Sequence, residues 1–186
     1  MVTIASLWLS IVLATVIVFI ASAIIWTVMP HHKSDYGSLP DEAAARNVLK
    51  AQNIPPGQYN IPNIASHDAL KDPEVVQLFT DGPVGFLTVL PRGVPRMGKS
   101  MLQSLVFYLL VSGTIAYLAS RSLAPGAEYW EVFRFVGTFA WAAYGFAIVP
   151  DAIWFGRPWR AVVKQLVDAL VYASLTAGAF AGFWPR

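Results

Sequence analysis

"GVPRMGKSMLQSLVFYLL", residues 93–110, decides how this chain folds. Its first eight residues match G-x-x-x-x-G-K-[ST], a loop whose backbone N–H groups wrap nucleotide phosphates. In that role Lys99 reaches the outer phosphates and Ser100 holds magnesium. A strand-like "GFLTVL" precedes the match and an apolar run follows it. In nucleotide hydrolases, however, the loop is built on a parallel sheet covered by helices. The helix that follows here, "MLQSLVFYLLVSGTIAYLAS", is apolar on every side, whereas a helix lying on a sheet carries a polar stripe. Lipid suits it better. Nucleotide is therefore not expected as a ligand, and no strands are expected to pair around residues 86–90.

The rest of the chain agrees with lipid. Of 186 residues, 56% are hydrophobic and 13% charged, against about 25% charged in ordinary soluble domains. A membrane span needs about 20 apolar residues to cross about 30 Å of hydrocarbon. Four runs qualify: 2–29, 101–120, 135–154 and 162–184. The expected fold is an all-α membrane protein of four transmembrane helices. A Pro-rich, partly helical insertion separates spans one and two. The organisation is an anchor helix at 1–29, an insertion at 30–100 and a three-helix region at 101–186. The first run has no basic residue ahead of it and exceeds the 7–15 residues of a signal core, so it is expected to be an uncleaved anchor.

Charge sets the orientation. Arg92, Arg96 and Lys99 precede span two, and Arg157, Arg160 and Lys164 lie between spans three and four. Counting membrane-proximal cations puts these turns in the cytoplasm and both termini on the other side, in the inner membrane if the source is bacterial. Trp8, Trp26, Trp130, Trp154, Trp159 and Trp184 fall near span ends, where amphipathic rings prefer the headgroup layer; Trp141 is mid-span. Arg92, Arg96 and Lys99 form a basic collar suited to lipid headgroups.

Residues 30–100 hold nine of the 13 prolines, which breaks the insertion into short pieces. "SLPDEAAARNVLKAQN" is expected to be a helix capped by Ser38, and "DPEVVQLFTDG" a helix capped by Asp72 and stopped at Gly82. "IPPGQYNIPN" between them is expected as turn or polyproline backbone. "FLTVL", 86–90, suits a short strand or an interfacial strip.

Several constellations are candidate sites. Asp151 and Asp168 are ionisable groups within spans, which suggests function when they face the bundle interior. With Arg157, Arg160 and Lys164 they form either an ion or proton site or a structural staple, Lys164 and Asp168 standing one helical turn apart. His31, His32 and His67, with Asp35 and Asp68 beside them, are candidate ligands for a divalent ion. Ser174, Gly178 and Gly182, a small-xxx-small series, are candidates for close helix packing, flanked by the stripe Ala173, Ala177 and Ala181. Span three alternates small and aromatic residues, a face for pigment, quinone or lipid.

The chain has no cysteine, which excludes disulfides, thiolate nucleophiles and iron–sulfur clusters. A net charge of +2 does not suggest nucleic acid. No cofactor and no catalytic residue is expected. The expected role is non-enzymatic: an accessory or scaffolding subunit of a larger membrane complex, partnered by the bilayer, by other membrane subunits or by copies of itself. The alternatives are a small transporter or channel using Asp151 and Asp168, or a metal-dependent membrane enzyme.

Overall fold

The computed structural model describes residues 2–186. The chain is mostly helical and divides into two units. One comprises Met1–Tyr36, Arg96–Ala152 and Arg157–Arg186, the other Gly37–Pro95 and Ile153–Gly156. The first contains α1 (Trp8–Thr27), α4 (Met97–Ser122), α5 (Tyr129–Gly145) and α7 (Trp159–Gly182). A short helix α6 (Val149–Trp154) continues α5 after one 3-10 turn. Among the described residues three segments are long and apolar enough to cross a membrane: Ile4–Thr27, Met97–Ser122 and Tyr129–Trp154. Helix α7 is of similar length but carries Arg160, Lys164 and Asp168 and is not one of those three.

Small residues take much of the inward face of the first two spans. Helix α1 is apolar all round, yet it buries Ser10, Ala14, Val18 and Ser22 and leaves Trp8, Val12, Val16, Ile20 and Ile24 exposed. Helix α4 likewise buries Ser112, Ala116, Ala119 and Ser120, with Val111 and Ile115 beside them, while Leu102, Val106, Leu109 and Leu110 point out. In water that arrangement would be inside out. In lipid, association is driven by close backbone approach, so small residues take the contact and large ones face the acyl chains. Helices α5 and α7 approach most closely: a Cβ on Gly145 would stand 3.0 Å from the Ala169 Cβ and 3.1 Å from Leu166 Cδ2. Phe180, Ile115, Val132 and Val136 fill the shared core.

The second unit holds α2 (Glu42–Ala51), β1 (Gly57–Ile61), α3 (Pro73–Asp81) and β2 (Gly85–Val89). The strands pair antiparallel, from Gly57 opposite Val89 to Ile61 opposite Gly85. This corrects two expectations: 57–61 is a strand rather than polyproline backbone, and 86–90 does have a partner. The prolines at 55, 56 and 62 flank the ladder instead of interrupting it, where a missing N–H costs little. The sheet has two antiparallel strands, not the parallel platform of a nucleotide hydrolase. Gly98, Lys99 and Ser100 lie in the first turn of α4, which is one of the three spanning segments. Helix α2 starts later than expected, at Glu42, because Asp41 supplies the cap by accepting from the Ala44 N–H at 2.9 Å. Helix α3 starts at Pro73 behind the Asp72 cap and stops at Gly82, as its sequence suggests. Among the described residues of this unit none is fully buried, in keeping with so short and proline-broken a segment.

Candidate metal centre

The first span ends in a sequence that folds back on itself. Pro30 cannot continue the helix and opens a 3-10 turn, Pro30–His32. Two successive backbone bonds, Lys33 N–H to Pro30 O and Asp35 N–H to His32 O, both 3.0 Å, wind residues 30–35 into a compact knot. The His32 ring lies flat on the Trp26 indole, centroids 3.8 Å apart and planes 4° from parallel. Stacking fixes the plane of that imidazole, and the turn brings Asp35 to its edge.

Helix α7 supplies the other half. The His32 Nδ1 stands 2.6 Å from Asp35 Oδ2, and its Nε2 2.7 Å from Asp168 Oδ2. The second Asp168 oxygen lies 3.1 Å from His31 Nε2. Lys164, one turn before Asp168, donates to Asp35 Oδ1 at 2.6 Å, to Ser34 Oγ at 2.9 Å and to the His31 carbonyl. Asp35, His32 and Asp168 side chains are 3%, 6% and 6% exposed. Lys164 and then His32, by hydrogen bonding to it, hold the Asp35 carboxyl below its ordinary value.

The hydrogen bonds join the two carboxylates through one ring. A carboxylate only accepts, so a histidine with a carboxylate on each nitrogen must donate from both. His32 thus ties Asp35 to Asp168, and Lys164 holds the other Asp35 oxygen. His31 donates once, from Nε2, and its buried Nδ1 has no partner.

The same donors suit a divalent cation. One nitrogen each from His31 and His32 and an oxygen of Asp168 lie within 4.8 Å of one another. Ligands about 2.0–2.1 Å from a tetrahedral ion stand about 3.3 Å apart, so a small spreading of the donors admits one. The outer shell is also of the metal kind: metal-bound histidines hand their other N–H to a carboxylate, as His32 does to Asp35, and that carboxylate is itself held, here by Lys164. Two imidazoles and a carboxylate are ligands of zinc and of iron(II).

Asp168 lines two cavities. One, of about 150 Å³, is aromatic, with Trp26, Phe107, Tyr108, Tyr144 and Tyr172 around it. Tyr172 is 7% exposed and its hydroxyl has no hydrogen-bond partner. The other, of about 500 Å³, is aliphatic and has His31 in its wall.

The structure sorts the remaining candidates. His31 and His32 meet Asp168, while His67 opens a 3-10 turn in the other unit. Lys164 pairs with Asp35 rather than with Asp168 on its own helix. Asp151 lies 3.9 Å from Arg157, and Arg160 is exposed. Arg92 donates to Asn53 Oδ1 at 3.1 Å, and Arg96 and Lys99 sit at the start of α4. Ser174 and Gly182 are exposed; a Cβ added at Gly178 or Gly182 would meet nothing within 4 Å, and the neighbouring stripe Ala173, Ala177 and Ala181 is the buried one. Trp26 and Tyr172 are parts of the site that sequence reasoning missed. The i,i+3 spacing of His32 and Asp35 was the available signal for the turn.

Fold and site together define a helical protein with membrane-spanning segments and a buried histidine–carboxylate centre at the end of the first of them. No protein-family model, curated protein or solved structure matches the chain.

Proposed function

We propose that this chain is a four-span membrane protein that binds a divalent metal ion through His31, His32 and Asp168 and uses it for chemistry at the membrane interface. One observation carries the proposal: the His32 imidazole is clamped flat on Trp26 with Asp35 on one nitrogen and Asp168 on the other. Structural zinc sites have four protein ligands, whereas three leave a position open, as catalytic sites do. An ion held this way polarises a carbonyl or phosphoryl oxygen and turns bound water into a nucleophile near neutral pH. Zinc is the first choice of ion, and iron(II) the second.

Helix α7 serves as the fourth span in this proposal. Its partners Asp35, His31 and His32 follow the end of α1, so the first turns of α7 run beyond the first span into the headgroup layer. That accounts for Arg160 and Lys164 in its first turns. The basic residues beside the spans favour a cytoplasmic location for the metal centre and for residues 37–95, with both termini outside.

The test uses the full chain purified in mild detergent, stripped with chelator, dialysed against zinc and assayed for bound metal. Wild type is expected to hold zinc stoichiometrically, and His32→Ala and Asp168→Asn to lose it. Asp35→Asn, which touches only the outer shell, should weaken binding about 10–100-fold. Equal metal content in wild type and His32→Ala would end the proposal.

A second reading keeps the accessory or scaffolding role, with the same residues as a staple between α1 and α7. The 2.7 Å contact between His32 and Asp168 favours it, since donor and acceptor are already closed on each other. In that case chelator leaves the thermal stability of the protein unchanged.

A further inference from the structure

We infer that the metal centre receives a single-chain amphiphile with an anionic oxygen head, such as a long-chain carboxylate, whose tail lies in the aliphatic cavity between α1 and α7. This inference rests on the metal proposal and names the class of ligand for that centre.

Three observations converge on it. First, the cavity has the right lining. Ala21, Ile24 and Ile25 from α1, Val167 and Val171 from α7, and Met29 line an open groove of about 500 Å³, within the roughly 300–1,000 Å³ of small-ligand sites. No Phe, Tyr or Trp lines it, so its walls suit a flexible hydrocarbon rather than a flat ring. Second, its polar groups are His31 and Asp168, two of the three metal ligands. A head at the ion therefore has its tail in the cavity with no further rearrangement. Third, the charges call for an anion. Asp35, Asp168 and Lys164 stand around the position of the dication, which leaves a net of +1. The ligand that neutralises this centre carries one negative charge.

The placement also matches the bilayer. His31 follows the end of the first span, where headgroups lie, and Ile24 and Ala21 run back along that span toward the hydrocarbon. An amphiphile already oriented in the leaflet enters head first at the interface and sideways along its tail. The open coordination position takes its oxygen.

The experiment loads the detergent-purified full chain with cobalt(II), whose visible absorption reads changes at the metal, and titrates palmitate at fixed detergent concentration. Palmitate is expected to shift the spectrum. Acetate, with the same head and no tail, should need at least about 100-fold more, since each buried CH₂ contributes about 0.8 kcal/mol. Methyl palmitate, with the tail and no charge, should give no shift. Val171→Trp and Ile24→Trp, which fill the cavity from positions that hold no metal, should keep the cobalt spectrum and weaken palmitate at least about tenfold. Palmitate acting equally on wild type and both plugged variants, or acetate matching palmitate, would overturn this inference and leave the metal centre standing. A chain that takes up no cobalt would overturn both.

Discussion

Removing the Asp168 carboxylate perturbs the candidate site most directly, and the structure sets the size of the effect. In chelator-treated protein, Asp168→Ala deletes the acceptor for His31 Nε2 at 3.1 Å and for His32 Nε2 at 2.7 Å. Both rings stay in place, and the His32 ring remains sandwiched between Trp26 and its surroundings with one N–H facing nothing. Breaking a buried ion pair from one side costs about 3–5 kcal/mol, because the surviving charge is left without compensation. His32 keeps Asp35 as a partner, so the lower end applies. About 3 kcal/mol is a factor of about 150 in the folding equilibrium, and for a chain of this size corresponds to a melting shift of roughly 6–12 °C. The assay is a thermal melt in detergent followed by circular dichroism. Asp68→Ala is the control: Asp68 and Lys71 are 81% and 83% exposed, and such surface pairs contribute under about 1 kcal/mol. If Asp168→Ala melts no lower than Asp68→Ala, the network does not stabilise the end of the first span and the burial argument is wrong.

Further outcomes test other parts of the account. Gly145→Leu should destabilise by about 1–3 kcal/mol, because its Cβ alone would come within 3.0 Å of Ala169; Gly178→Ala, with nothing within 4 Å, should be neutral or slightly stabilising by the same melt. The Asp35 carboxyl is held below 3.8 by Lys164 and His32. A lowered carboxylate stabilises the folded state above its unfolded value and loses that contribution as pH falls through the folded one. Melting temperature should therefore fall below about pH 4, and Asp35→Asn should flatten that acid limb. Isothermal titration with magnesium and ATP should show no binding to wild type and no change in Lys99→Ala; saturable binding lost in the variant would restore the nucleotide interpretation.

The helices were legible because uncharged runs of about 20 residues have few alternatives. The inward faces were not, since a helix that is apolar all round gives no periodic signal. In α1 the small residues Ser10, Ala14 and Ser22 mark the inward face by size, and nothing in the sequence separates buried Val18 from exposed Val12 and Val16. In α7 the small residues form two adjacent stripes, and only packing against α5 selects the one through Ala173 and Ala177. The pairing of 57–61 with 85–89 was hidden by prolines that flank the strand without entering it. As for the site, His31, His32, Lys164 and Asp168 each stood out as unusual near a span. Their convergence did not, because residues separated by 137 positions carry no local signature of contact. The i,i+4 spacing of Lys164 and Asp168 suggested a pair with each other, yet each side chain reaches instead to the turn after α1. Helical spacing specifies which residues share a face and leaves open which neighbour that face meets.

X-ray absorption at the zinc edge of the zinc-loaded full chain tests the central claim most directly. The account predicts a first shell of nitrogen and oxygen at about 2.0–2.1 Å with the outer-shell pattern of two imidazoles, and loss of one imidazole in His31→Ala. A shell of oxygens alone, unchanged in His31→Ala and His32→Ala, would contradict it.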